Sequence, residues 1–248
     1  MAKPIDNLNK KIAILIPAYN EEKYIHKVIK DCLKYKFDVI VVNDGCTDNT
    51  PEIVKSIPEP DDCRIILLEH PYNLGKGQAL KTGFHYAVDN NYRGVITIDA
   101  DGQHSADEII NFLDTVEKDD PDIIVGSRFQ NIKDMPFDRV FANTSSSWII
   151  SLIAGRKIED VQSGFRYISS RVLKSTKLET KNFDTESEIL LKASWKGYKI
   201  KNIPISTIYH KSFTSYFHPV KDTIKFFQLV FKSLLWKINY RRKALHKS

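Results

Sequence analysis

Val95-Ile96-Thr97-Ile98-Asp99-Ala100-Asp101-Gly102-Gln103-His104 is a short apolar run, rich in β-branched residues, that delivers two carboxylates to a polar turn. β-Branched residues favour a strand, and Asp-Gly chemistry favours the turn that ends it. Alternate residues of an extended chain share a face, so Asp99 and Asp101 are expected on one face, converging on one cation. Hard divalent ions such as Mg²⁺ or Mn²⁺ take carboxylate oxygens and keep coordination positions for phosphate. The same residues also suit an ordinary turn capping a strand, so the surroundings must decide.

Three more segments repeat the pattern of an apolar run entering a polar loop. Ile12–Ile16 runs into Pro17-Ala18-Tyr19-Asn20-Glu21-Glu22, Asp38–Val42 into Asn43-Asp44-Gly45-Cys46-Thr47-Asp48, and Arg64–Leu68 into Glu69–Gly77. Between them, Ile25, Val28, Ile29, Cys32 and Leu33 recur at the three-and-four spacing of an amphipathic helix. Strands apolar on both faces that alternate with helices indicate an α/β fold with a mostly parallel central sheet. Ligands of such sheets bind beyond the carboxyl ends of the strands, where all four loops gather.

The loops carry distinct chemistry. Pro17 is expected to end its strand, Tyr19 offers a flat face to a nucleobase, and Glu21 offers an acceptor to base or ribose; Asn20 also suits the N-cap of the next helix. Asn73-Leu74-Gly75-Lys76-Gly77 opens a helix whose N-terminus, with Lys76, suits phosphate. It lacks the spacing of a P-loop, which argues against an ATPase. Ala79, Gly83 and Ala87, four apart, form a small-residue stripe for close helix–sheet packing. Ser105-Ala106-Asp107-Glu108 reads as a capping box, which makes His104 a wall residue rather than a ligand. Asp122–Val125 reads as a further strand ending at Gly126-Ser127-Arg128. A helix is expected to stop at Lys196-Gly197.

Taken in order, Pro17-Ala18-Tyr19-Asn20-Glu21, Asn43–Asp48, Asn73–Gly77, Asp99-Ala100-Asp101 and Gln162-Ser163-Gly164-Phe165-Arg166 resemble glycosyltransferase family two, of GT-A fold, and within it the dolichyl- and polyprenyl-phosphate sugar synthases. The resemblance runs from about Ile12 to about Lys225. It implies a GT-A, Rossmann-like domain over 1–219, followed by a basic amphipathic helix over 220–248 that is part of the same domain or a peripheral membrane anchor. It also implies an inverting, metal-dependent transfer of a hexose from a nucleotide sugar of the UDP-glucose or GDP-mannose type.

By that resemblance, Pro17, Tyr19, Glu21, Asp44, Lys76, Asp99 and Ala100 face the donor nucleotide, and Asp99, Asp101 and Gln103 hold Mg²⁺ or Mn²⁺. Arg128 and Arg139 match positions that hold an acceptor phosphate. Asp101, Arg128 and Asp160 are the catalytic candidates, with Asp160 the base for a hydroxyl acceptor or otherwise a partner for the sugar or Arg166. Glu186 and Glu188 read equally as caps or acceptor-site carboxylates. The chain departs from the family pattern at Asn43, usually Asp, and at Cys46, commonly Ser. The loop from Tyr209 to Pro219 resembles a rim loop that would close over the donor.

Composition sets the remaining bounds. At 248 residues and 42% hydrophobic, the chain can bury one α/β core. Three cysteines without CxxC spacing point to reduced thiols, and the polar first ten residues carry no secretory pattern, so a cytoplasmic protein is expected. No apolar run reaches the ~18 residues of a membrane span. From Val220 on, Ile224, Phe227, Phe231, Leu234, Leu235 and Ile238 share one helical side, and Lys232, Lys237, Arg241, Arg242, Lys243 and Lys247 crowd its end. Such a helix either packs on the domain or lies on an anionic membrane. A net charge of +6 fits anionic substrates or lipids, while the absence of a recognised motif argues against nucleic acid.

The expected acceptor is a polyprenyl phosphate at the cytoplasmic leaflet. The alternatives are a sugar hydroxyl in cell-surface polysaccharide or glycolipid assembly, a sugar nucleotidyltransferase, and an inactive nucleotide-sugar binder.

Overall fold

A computed structural model describes residues 12–129, 137–181, 184–208 and 219–245, with the backbone alone for 137–139, 141–142, 219–225 and 241–245. The first element, β1 (Ile12–Ala18), is buried throughout and alternates its side chains between two cores. Ile12, Ile14 and Ile16 face one core and Ala13 and Leu15 the other, as the two-residue period of a strand dictates. The strand continues through Pro17, paired with Val42, rather than ending there.

Six more strands follow: β2 (Asp38–Asn43), β3 (Ile65–Glu69), β4 (Gly94–Thr97), β5 (Ile123–Ser127), β6 (Arg166–Ser169) and β7 (Ile200–Pro204). They form one sheet in the order β3-β2-β1-β4-β6-β5-β7. All pairings are parallel except those of β6, which runs antiparallel to β4 and β5. The mostly parallel sheet is as expected, and β6 is the exception.

Helices cover both faces. On the first lie α1 (Ile25–Leu33), whose buried side is Ile25, Val28, Ile29 and Cys32, and α4 (Ile109–Asp119). On the second lie α3 (Lys76–Asp89), α5 (Phe137–Ala154), α7 (Asp184–Trp195) and α8 (Pro219–Leu245). The short helices α2 (Thr50–Ser56) and α6 (Ser170–Ser175) complete the set among the described residues. The small-residue stripe of α3 does what its spacing suggests: a Cβ on Gly83 would come within 2.2 Å of Leu15 Cδ1.

Two local expectations fail for identifiable reasons. Asn20 does not cap α1, which starts five residues later. Instead Asn20 adopts φ +56°, and its Oδ1 accepts the Thr47 N–H at 2.8 Å, tying the first loop to the second. Ser105 does accept the Asp107 N–H, but Glu108 does not complete a capping box. Its carboxylate accepts from Ser206 N and Asn111 Nδ2, and a 3-10 turn precedes α4. The stop at Gly197 is present, with φ +80°.

Candidate active site

The carboxyl ends of β1, β2, β3 and β4 bring the four polar loops together. Tyr19, 45% exposed, stands out of an otherwise buried strand end, as a stacking platform for a base would. Asp44 is buried, and its carboxylate accepts from the Leu74 and Gly75 N–H groups at 3.0 and 2.9 Å and pairs with His70 Nδ1 at 2.7 Å. His70 Nε2 continues to Thr82 Oγ1 at 2.9 Å, so one partly buried chain links β2, the glycine loop and α3. Asp44 thus sets the shape of the loop that precedes Lys76. Gly45 has φ +70°, and a Cβ there would lie 2.3 Å from the Tyr72 carbonyl carbon. That close approach presents Tyr72, 65% exposed, beside the second loop. Cys46 fills the role of a hydroxyl: its Sγ accepts from Asn20 N and donates to Ala18 O.

The Asp99–Asp101 pair differs from the expectation. β4 ends at Thr97, and a turn begins at Ala100, between the two carboxylates. Asp101 Oδ1 accepts the Gln103 N–H at 3.0 Å in an Asx turn that Gly102, φ +70°, completes. Asp99 instead turns to Lys76, whose Nζ lies 2.7 Å from Asp99 Oδ1 and 3.3 Å from Glu186 Oε1. Gly164 lies flat against Asp99: a Cβ there would fall 2.3 Å from Oδ2. Its glycine is therefore required by the carboxylate it faces. Ala100 is buried in the core, leaving only its backbone for a ligand. His104 is a wall: it is buried, packs on Phe165 with ring centroids 5.3 Å apart, and stays 3.9 Å from Asp99 Oδ2.

These neighbours set the electrostatics. Burial pushes the Asp99 carboxyl up, but Lys76, His104 and Arg128 together hold it below the usual carboxylate range. Among the described residues no cation lies against Asp101 in this way, and burial and then Asp99 push it up to about 6. Burial, then Asp101, Asp99 and Asp48, push Glu21 up to about 7. Lys76 is held charged by Asp99 and Glu186 against the effect of its own burial.

Beyond β5 the arrangement is of another kind. Arg128 Nε and a terminal nitrogen donate to the two oxygens of Asp160 at 2.7 and 2.9 Å, and the Arg128 N–H adds a third bond at 3.2 Å. Asp160 is 0% exposed and also accepts the Gln162 N–H. A carboxylate so enclosed fixes the Arg128 guanidinium, and it does not pair with Arg166. Arg166 is itself buried, donating to the carbonyls of Ser163, Val161 and Glu186 as an internal brace. Glu186 and Glu188 divide the roles left open for them. Glu186 faces Lys76, whereas Glu188 is buried and accepts from Glu179 N, Thr180 N, Thr180 Oγ1 and Lys192 Nζ. The Arg139 side chain and the loop over 209–218 lie outside the described residues.

The sequence offers no signal for His70 or Tyr72, and it does not tell the role of Glu186 from that of Glu188. A helical-wheel reading separates Glu186 from Glu188 by about 200°, but only the packing of α7 tells which faces the site.

Among the described residues no three His, Cys, Asp or Glu side chains form a closed metal cage. The donor set nonetheless fits Mg²⁺ or Mn²⁺, which use one or two carboxylates and borrow phosphate oxygens from substrate. The raised Asp101 and Glu21 carboxyls are the observation behind that fit: hard oxygen donors gathered with too little positive charge beside them.

The family described as glycosyl transferase family 2 matches residues 13–178. The UDP-N-acetylglucosamine–dolichyl-phosphate N-acetylglucosaminyltransferase of Methanococcus voltae is 35% identical over 81% of this chain and 87% of its own. The polyprenol monophosphomannose synthase of Mycolicibacterium smegmatis is 24% identical over 79% of this chain and 77% of its own. Glucosyl-3-phosphoglycerate synthase from Mycobacterium tuberculosis, solved with Mn²⁺, UDP and phosphoglyceric acid, shares the fold at TM-score 0.69. It is 16% identical and covers 92% of this chain and 78% of its own. With its sheet order, its loop cluster and these likenesses, the chain belongs to glycosyl transferase family 2 and is a glycosyltransferase of GT-A fold, related to the dolichyl- and polyprenyl-phosphate sugar synthases.

Proposed function

We propose that the enzyme moves a hexose, with inversion, from a nucleotide sugar to a polyprenyl or dolichyl phosphate. The observation that carries the acceptor assignment is the enclosed Asp160. A hydroxyl acceptor must lose a proton to a base, whereas a lipid phosphate is already an anionic nucleophile. Asp160 is bonded on both oxygens to Arg128, and Glu186 is paired with Lys76. A forked guanidinium held from behind by a carboxylate is suited to phosphate. Arg128, with Arg139 on α5, is assigned to the acceptor phosphate. The Methanococcus voltae and Mycolicibacterium smegmatis relatives, named for dolichyl-phosphate and polyprenol substrates, support the same acceptor class.

In this reading Pro17, Tyr19 and Glu21 meet the nucleoside, with Asp44 fixing the loop through Leu74 and Gly75. Lys76 holds Asp99 in place at the diphosphate. Asp99, Asp101 and Gln103 would hold the divalent ion, with Asp101 contributing most because no cation among the described residues lies against its oxygens. When bound, that ion supplies positive charge to the departing nucleoside diphosphate. An oxygen of the lipid phosphate attacks the anomeric carbon from the face opposite the diphosphate. The bond from that carbon to the diphosphate oxygen breaks, and the products are a lipid-phosphate sugar and a nucleoside diphosphate. No proton changes hands at the attacking atom.

The test is nucleoside diphosphate release with Mn²⁺, using UDP-glucose, UDP-N-acetylglucosamine and GDP-mannose, with and without a short polyprenyl phosphate. Release that requires the lipid phosphate is expected and would identify the donor. Release that responds instead to a sugar hydroxyl would overturn the acceptor assignment. The site is proposed to work at the inner face of a membrane, on a protein in which no described helix is long and apolar enough to cross it.

A further inference from the structure

Among the described residues eleven large hydrophobic side chains are exposed, and seven of them lie on just two helices, α5 and α8. On α8 they are not scattered. Leu229 and Ser233 are buried, Trp236 is partly buried, and Tyr240 meets Trp195 with ring centroids 6.2 Å apart, so this side of the helix packs on α5 and α7. Lys237 Nζ donates to the Ile153 carbonyl at 2.7 Å and fastens the same side.

Phe227, Phe231, Leu234, Leu235 and Ile238 are all exposed and fall within an arc of about 100° on the helix. Gln228, Lys232 and Asn239 occupy the narrow polar arc that remains. A surface helix of a soluble domain needs only two arcs, one buried and one polar. This helix has a third, apolar and facing outward. On α5, Trp148, 68% exposed, and Leu152, one turn further on, repeat the feature. Trp148 lies nine residues beyond Arg139 on the same helix, a rise of about 14 Å.

We propose that the outward strip of α8, with Trp148 and Leu152 of α5, lies in the interfacial layer of an anionic lipid bilayer. Charge selects the occupant. Lys232 is exposed beside the strip, Arg241-Arg242-Lys243 follow Ile238 within two turns, and the chain carries a net +6. Aromatics and leucines flanked by basic residues match an acyl boundary beneath anionic headgroups. A parallel pairing with a second copy of this chain would bring the two basic clusters near one another, and an antiparallel one would leave them uncompensated. The inference rests on the lipid-acceptor reading for its purpose: it carries the end of α5 that bears Arg139 to within about 14 Å of the lipid surface. Adsorption itself needs neither donor nor acceptor.

The experiment is flotation of the full chain with vesicles of phosphatidylglycerol and phosphatidylcholine in equal parts, against phosphatidylcholine alone. Binding to the anionic vesicles, weakened by salt, is expected. Phe231→Ser with Leu235→Ser should weaken it at least about tenfold, while turnover of a water-soluble short-chain acceptor stays unchanged. Brominated acyl chains should quench Trp148 fluorescence, read as the difference from Trp148→Phe. The proposal is overturned if the chain does not float with anionic vesicles, or if the double variant floats as well as the parent. It is equally overturned if the double variant only converts a dimer into a monomer. Vesicle binding without polyprenyl-phosphate-dependent turnover would instead count against the acceptor assignment and leave this surface standing.

Discussion

The two flanks of the site handle charge in opposite ways. On the acceptor flank one carboxylate meets one guanidinium, Asp160 and Arg128, bonded through both oxygens and shielded from solvent. On the donor flank Asp99 and Glu186 share Lys76 while Asp101 and Glu21 lie close to Asp99, and the surplus shows in the raised Asp101 and Glu21 carboxyls. A balanced pair positions a group; an unbalanced cluster waits for a cation. The flank rich in carboxylates is therefore read as the one that takes the metal and diphosphate, and the balanced flank as the one that presents a fixed cation to an anionic acceptor.

The sharpest way to break this contrast is Asp101→Asn. It removes the carboxylate raised by burial and by Asp99 and should lower Mn²⁺-dependent donor affinity at least about a hundredfold, since even outer partners of a metal site cost about 10–100-fold. The fold should be unaffected. Unchanged donor affinity by calorimetry would remove Asp101 from the metal site.

Next is Glu188→Gln. It strips a buried carboxylate of its ion pair with Lys192 and should destabilise the protein by about 3 kcal/mol in denaturant unfolding. Per folded molecule it should leave turnover intact, whereas Glu186→Gln, two residues away, should lower turnover and leave stability nearly unchanged. Equal effects from the two would erase the division of roles. A smaller effect is expected of Gly164→Ala. Its Cβ would push the Asp99 carboxylate away from Lys76 and reduce donor turnover by about tenfold, in line with the sensitivity of catalysis to ångström displacements. Smallest is His70→Asn, which breaks the link from Asp44 to Thr82. It should raise the donor KM by a few-fold with little change in kcat, the mark of a loop-positioning residue.

Much of this contrast was legible before any coordinates. The apolar runs of β1 to β5, the buried side of α1, the small-residue stripe of α3 and the long C-terminal helix follow from periodicity, because each buries a face of its own. β6 did not show itself. It is four residues long, contains the buried Arg166, and is defined by antiparallel pairing to β4 and β5, strands distant in sequence. β7 is an edge strand, none of its residues fully buried. The site residues Asp99, Asp101 and Arg128 could be named from their motifs, but their partners could not. Whether Asp99 would turn to Lys76 or share a face with Asp101 depends on a turn that begins one residue beyond it. Asp160 reads as a base in sequence, and what favours a brace instead, its burial and its bidentate bond to Arg128, is tertiary.

The most direct test compares Asp160→Asn with Arg128→Lys in steady-state kinetics against polyprenyl phosphate, with pH profiles for both. If Asp160 acts through Arg128 on an anionic acceptor, each variant raises the KM for the lipid phosphate by about tenfold or more, since Lys cannot replace a forked contact. Donor affinity and the shape of the pH profile should then stay as in the parent. If Asp160→Asn instead lowers kcat alone and abolishes a limb of the pH profile, Asp160 is a base, the acceptor is a hydroxyl, and the account fails.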